Sequence, residues 1–403
     1  MPEVSNLPLG RKIELLRHRR GISRRVLASL VGYSPEWLRQ VEKGKIQVDR
    51  LSVLIRLAEV LQVKDVSRFL GIPADRAKSV QENGPASGSV RDALLHRWSP
   101  VEAAPSSDRV ATEWLHSRLM EAFEVWRDSA RRYSRVLNDV SELLNYAKEL
   151  DRHDDREACK VLAHAHRLTS LLLRQLGDYP LALLAIERGM LDSRMSRDEA
   201  TQVACSACYG AALLDNGFPD EAMEFCLAIL RHVGHRAADG APELLRAWGA
   251  MHLTAAEVAA VNNDQDRAWR LLEGAHRAAD RVVQEHDGPV LPFNSTDVDT
   301  HSIRIELILG NDKHALKQAA KVDVVSLPTK ERRVQYYVCL ARAYARSSQA
   351  VGATWALSQA EEACPEEMSF NAEAREVLQA VLLQDDAVVR HELWALAERA
   401  GLL

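Results

Sequence analysis

Residues 22–45 read ISRRVLASLVGYSPEWLRQVEKGK, a run of cations set around a short apolar skeleton with a glycine near its middle. Val26, Leu27, Leu30 and Val31 recur at helical spacing, and so do Trp37, Leu38 and Val41. Between the runs, Gly32 suits a tight turn that needs positive φ. Ser23 and Ser34 stand where a side-chain oxygen caps each helix, and Pro35 opens the second, where a missing N–H costs nothing. The spacing therefore predicts two short helices joined by a tight turn, the second ending at Gly44. Upstream, Ile13, Leu15 and Leu16 predict a preceding helix, punctuated by Gly21. Leu51, Leu54, Ile55, Ala58, Leu61 and Val63 supply the remaining faces of a compact five-helix unit.

Charge is segregated along the chain. The formal net charge of the 403 residues is −5, but residues 1–72 carry 14 Lys plus Arg against 7 Asp plus Glu, or +7, which leaves 38 against 50, or −12, for the rest. A basic module on an acidic body implies that the module meets a polyanion while the body faces something else. No apolar run reaches the roughly 18 residues of a spanning helix, and MPEVSNLPLG lacks the n-region and h-region of a signal peptide. The expectation is a soluble, cytoplasmic, nucleoid-associated protein without membrane contact. Six cysteines spread over so long a chain argue for reduced thiols.

SRRVLASLVGYSPEWLRQVEKGK resembles the helix-turn-helix of the phage-repressor-like family often called XRE, over nearly all of residues 8–71. Leu27-Ala28, Gly32, Ser34, Val41-Glu42 and Gly44 fall where that family keeps its leucine-alanine pair, turn glycine, recognition-helix cap and terminal motif. The resemblance implies a structural ion pair between Arg17 and Glu42, and double-stranded DNA as partner. A helix fits the major groove, and helix N-termini offer free N–H groups to phosphate. Arg24 and Arg25 open the second helix and are expected to grip backbone phosphates, as are Lys43 and Lys45 after the third. Ser34, the recognition-helix cap, is counted with the DNA-binding residues, and Pro35, Glu36, Arg39 and Gln40 stand where the family reads base edges; Gln40 suits adenine, and Arg39 suits guanine or a phosphate. Glu36 either accepts from a cytosine amino group or rejects wrong sites. Trp37 packs along the sugar-phosphate edge or covers the domain core.

From Ala74 to Asp108 the pattern breaks into Gly, Pro, Ser and Ala around the short DALLHRW, which reads as a flexible linker. Beyond it, Trp114, Leu115, Leu119, Phe123, Trp126, Tyr133, Leu137, Val140, Leu143, Leu144 and Ala147 trace an apolar face in one long helix or two. GDYPLALLAIERGM at 177–190 then shows the turn and second helix of a tetratricopeptide repeat. The step from turn residue to alanine recurs at Gly217 and Ala222, Asn263 and Ala268, Gly310 and Ala315, and Ser348 and Ala353. Successive alanines lie 40, 46, 47 and 38 residues apart, more than the roughly 34 of a regular repeat. The body thus resembles a divergent tetratricopeptide solenoid. Its order after a helix-turn-helix is similar to a large class of actinobacterial regulators and, by architecture alone, to the peptide-pheromone receptors of Gram-positive bacteria.

The expected fold is therefore all-α: a helix-turn-helix domain over 1–73, a linker over 74–108 and a tetratricopeptide-like helical repeat domain over 109–403. If the repeats align, His164, Arg167, Arg174, Gln175, Glu257, Arg304, Gln335, Arg342 and Arg346 line a concave face, and Asn294 with Thr296 stands in a loop beside it. Such arginines suit the carboxylate or phosphate of a peptide or small-molecule ligand; alternatively they pair with acids on adjacent helices. Thr296 is expected rather as a helix cap. Cys205-x-x-Cys208 lacks a second ligand pair and reads as two buried thiols, not a metal site. No Walker loop, H-E-x-x-H or G-x-S-x-G occurs, so neither enzyme activity nor a cofactor is expected. The reading is a homodimeric, sequence-specific transcriptional regulator whose repeat domain senses a ligand; alternatively that domain binds a protein partner. Dimer contacts are expected from the helices at 109–150 or from the segment 377–403.

Overall fold

A computed structural model of the chain describes residues 9–20, 22–43, 57, 60–61, 84–95, 109–146, 155–239, 241–282, 293–384 and 386–402. Every element among them is helical. The chain divides into two compact units, residues 1–83 with 376–403, and residues 84–375.

In the first unit, α1 (Leu9–Arg19), α2 (Arg24–Val31) and α3 (Pro35–Glu42) follow the caps written in the sequence. Ser23 Oγ accepts from Val26 N at 3.3 Å, and Ser34 Oγ accepts from Trp37 N at 3.1 Å. Gly32 takes φ 82°, which lets the Tyr33 N–H close back on the Ala28 carbonyl at 2.9 Å. Ile13, Leu27, Ala28, Leu38 and Val41 bury together with Leu57 and Leu61. The remaining helices of the expected five-helix unit, with Gly21, Gly44 and Lys45, lie outside the described residues.

Gly10 shows how closely α1 meets α3: a Cβ there would stand 2.2 Å from the Val41 carbonyl oxygen and 2.9 Å from that of Glu42. Backbone cannot swing aside as a side chain can, so Gly10→Ala is expected to cost about 1–3 kcal/mol. Hydrogen exchange is the measurement: amides of residues 9–43 should exchange roughly 5- to 150-fold faster, with those of 156–363 unchanged.

The second unit begins inside the stretch expected as a linker. Residues 84–95 form α4 (Gly84–Leu95), and Val90, Ala93 and Leu94 bury in one cluster with residues of the next four helices. The linker reading is thus corrected over these residues. Three apolar side chains at i, i+3 and i+4 make a helical face, and it outweighs the Gly-Pro-Ala-Ser-Gly start. The apolar face at 109–150 divides into α5 (Arg109–Asp128) and α6 (Arg132–Tyr146).

Five helix pairs follow. They are α7 (Arg156–Gln175) with α8 (Tyr179–Ser196), α9 (Glu199–Asp215) with α10 (Pro219–Asp239), α11 (Pro242–Val261) with α12 (Gln265–Ala279), α13 (Ser295–Ile308) with α14 (Asp312–Ala319), and α15 (Lys330–Arg346) with α16 (Ala350–Ala363). The turn of each pair holds the residue singled out in the sequence, and all five have positive φ: Gly177 79°, Gly217 81°, Asn263 57°, Gly310 82° and Ser348 56°. In each, the next N–H reaches back five residues, from Asp178 to Leu173, Phe218 to Leu213, Asp264 to Ala259, Asn311 to Glu306 and Gln349 to Tyr344, at 2.8–3.0 Å. The alanine five residues past each turn residue is fully buried, from Ala182 and Ala222 through Ala268 and Ala315 to Ala353. Small side chains there let paired helices close on each other, as a solenoid requires. α17 (Glu367–Phe370), α18 (Ala372–Gln384) and α19 (Arg390–Arg399) complete the chain.

Candidate functional site

On the N-terminal unit, α3 buries Leu38 and Val41 and turns Glu36 and Arg39 outward. Pro35 occupies its first turn and Ser34 caps it, and both stand exposed at that end. The outward residues hold one another: Arg39 Nε donates to Glu36 Oε2 at 2.8 Å, and Gln40 Nε2 donates to Glu36 Oε1 at 3.2 Å. Those bonds, Arg39 first, hold the Glu36 carboxyl down to about 2. Trp37 is half-buried, stacks on Tyr33 with ring centroids 4.0 Å apart, and packs on the domain core.

Arg17 and Glu42 form the expected scaffold pair, with Arg17 Nε donating to Glu42 Oε1 at 2.6 Å in a buried setting. Arg24, expected at phosphate, also serves this scaffold: its Nε lies 2.5 Å from Glu42 Oε2, and its Nη2 lies 3.3 Å from Glu14. Its side chain stays partly exposed. Arg25 and Lys43 are exposed, Lys43 as the C-cap of α3. Lys45 lies outside the described residues.

In the body, a cavity of about 230 Å³ is lined by the first helices of all five pairs and by Phe293 just before α13. Of the residues expected on a concave face, Arg167, Arg174 and Gln335 line it. The others have other duties. His164 is buried with Nε2 3.1 Å from Thr201 Oγ1, and Gln175 Oε1 accepts from Asn371 Nδ2 at 2.7 Å. Asn294, rather than Thr296, caps α13: its Oδ1 accepts from Thr296 N at 2.9 Å, and Asp297 completes a capping box.

Most of the arginines pair with acids of neighbouring helices, the alternative the sequence left open. Arg174 Nε lies 2.5 Å from Asp215, Arg342 Nη1 lies 3.0 Å from Glu373, and Arg346 Nε lies 2.9 Å from Asp312. Arg304 bridges Glu257 and Glu373, each at 3.3 Å. Glu257 also lies 2.7 Å from His301 Nδ1. Burial pushes the Glu257 carboxyl up, but Arg304 and His301 outweigh it and hold it at about 2.

Sequence reasoning missed Arg246, Arg332, Asp297, Glu331, His301 and Phe293, all in the cavity wall. Asp297 accepts from Arg332 Nη2 at 2.6 Å, and Glu331 accepts from Trp126 Nε1 at 2.8 Å. Cys205 and Cys208 are both buried free thiols, and Cys208 reaches the cavity. Among the described residues, no three His, Cys, Asp or Glu side chains gather as a metal site, and no helix is long and apolar enough to cross a membrane.

Two histidines of the body are held neutral. Burial, then Arg167 and Lys160, drives His164 well below the usual range, and burial with Arg277 brings His252 to about 4. The unfolded chain takes up a proton near pH 6.5 that the fold refuses, so the stability these groups supply is complete above that pH and drains as it falls toward 4. Melting measured at pH 7, 6 and 5 should show a loss of up to about 1.4 kcal/mol per pH unit per histidine. The slope should flatten in the variant carrying His164→Gln and His252→Gln; an unchanged slope would assign the acid sensitivity elsewhere.

No curated protein matches the chain. Six chains of solved structures do. One is the crystal structure of Bacillus thuringiensis PlcR in complex with the peptide PapR7 and DNA, at 12% identity, 85% of this chain, 98% of that chain and a TM-score of 0.39. That likeness is too loose to bear on what this chain binds. Residues 8–69 match the family described as the helix-turn-helix domain, across the span that holds α1, α2 and α3.

Proposed function

We propose that this chain is a sequence-specific, DNA-binding regulator of transcription. It acts as a homodimer in the cytoplasm, and its repeat domain, residues 109–403, takes a small ligand or peptide that alters operator binding. The observation that carries the DNA-binding part is α3: a helix fixed by Leu38 and Val41 beneath, capped by Ser34, with Glu36, Arg39 and Gln40 on its other side. Arg24, Arg25, Lys43 and Lys45 supply phosphate contacts, and Trp37 sets the outer edge of the reading surface. A ligand that prefers one arrangement of the repeats shifts DNA affinity by its difference in affinity for the two states.

Selection of duplexes from a random pool by the purified full chain tests this. The expected product is a two-fold-related sequence whose half-sites lie about 34 Å apart. No enrichment over random competitor at moderate ionic strength, with or without cell metabolites, would sink the reading.

A further inference from the structure

We propose that the cavity of the helical body binds a small amphipathic organic anion, a carboxylate or phosphate monoester on a short apolar skeleton. This rests on the ligand-taking part of the function above and names the ligand's class.

Cations outnumber anions in the wall, although Arg174 is paired with Asp215 and Arg332 with Asp297. Four guanidinium groups line it, those of Arg167, Arg174, Arg246 and Arg332, against the two carboxylates of Asp297 and Glu331. Both carboxylates already accept hydrogen bonds, from Arg332 at 2.6 Å and from Trp126 at 2.8 Å. Arg167 and Arg246 are only 8% and 3% exposed, and a cation in so dry a wall gains strongly from an arriving anion. Burial works against each of these charges: it pushes the guanidinium of Arg167 down and the carboxyls of Glu331 and Asp297 up. A metal cation or polyamine meets the wrong sign here.

Part of the wall is apolar. Leu171, Leu253 and Phe293 line the cavity together with alanines of α9. Gln335 adds an amide able to donate or accept beside the arginines. A free phosphate would leave that apolar surface wet, and a fatty or peptide chain exceeds the space. The volume of about 230 Å³ holds roughly eight waters at about 30 Å³ each. One ring or a branched four-carbon skeleton, with its acid group, fits.

Calorimetric titration and thermal melting of the full-length chain test the proposal with phenylacetate, isovalerate and phenyl phosphate. Each is run beside a neutral counterpart: phenylacetamide, isovaleramide and phenol. At least one acid should saturate a single site and raise the melting temperature, with its counterpart at least about tenfold weaker. The carboxylate and phosphate arms decide between the two head groups. Arg246→Gln should remove at least about tenfold of the acid's affinity. Ala250→Leu, which narrows the cavity without touching its charge, should do the same if the arginine variant fails to fold. Acids no tighter than their counterparts, or unchanged binding in Ala250→Leu, would overturn it. Duplex selection without ligand reads the regulator function separately, so either idea can fail alone.

Discussion

Glu367→Gln is expected to lower the unfolding free energy of the helical body by about 3–5 kcal/mol, a fall in its melting transition on the order of 10 °C. Glu367 is fully buried and Arg132 is 2% exposed, with Arg132 Nη2 2.8 Å from Glu367 Oε2. Its other oxygen accepts from Tyr133 Oη at 2.9 Å and Asn371 Nδ2 at 2.5 Å. The guanidinium itself lies over the rings of Trp126 at 4.7 Å and Tyr133 at 5.2 Å. Removing the carboxylate bonded to it leaves a cation sealed among rings, whereas removing both members of the pair leaves none. The variant carrying Arg132→Met and Glu367→Met should therefore recover most of the loss. Denaturant unfolding of the three variants decides this. A cost under about 1 kcal/mol for Glu367→Gln would mean that water reaches the pair.

That pair belongs to a clasp. Residues 126–134 bond to residues more than 200 positions later: Trp126 to Glu331, the Lys330 N–H to Asp128 at 3.2 Å, and Ser134 with the Tyr133 N–H to Glu366. α5 and α6 are thereby tied to α15 and α17, so the row of repeats is fastened at both ends. Glu331 is a clasp residue and a cavity wall at once.

What the sequence could disclose was local. Gly177, Gly217 and Gly310 announced their turns because glycine takes positive φ freely, and the alanines five residues on announced close helix contact. Ser23, Ser34 and Pro35 marked helix starts for reasons confined to one turn. Ion-pair partners were not legible, since Arg174 finds Asp215 one repeat later and Arg132 finds Glu367 at a separation of 235. The arginines at concave positions were visible, but not that Arg304, Arg342 and Arg346 are held by carboxylates that do not line the cavity, while Arg246 lines it and Arg332 pairs with Asp297 in its wall. α4 escaped because Gly84, Pro85 and Gly88 in its first five residues are poor helix formers, although Val90, Ala93 and Leu94 carried the signal.

Replacing Arg39 and Gln40 together by alanine is expected to abolish discrimination between the selected duplex and random competitor while leaving the fold alone. Each base-reading contact contributes about 1–3 kcal/mol, so the loss should reach at least about thirtyfold. The side chains are well placed to be released to DNA: they bond to Glu36 on an exposed face, and exposed pairs hold with about 1 kcal/mol or less. On the proposed reading, Glu36 loosely restrains Arg39 until a base edge or phosphate competes for it, and its charge repels a backbone in the wrong register. Glu36→Gln should accordingly tighten binding to every duplex and narrow the gap between selected and random sequence. Arg24→Ala, which removes a partner of Glu42 as well as a cation, should weaken binding to all duplexes alike and reduce the salt slope by about one. Anisotropy titrations at several salt concentrations separate the three outcomes. If the double variant keeps its operator preference, the reading surface is not on α3.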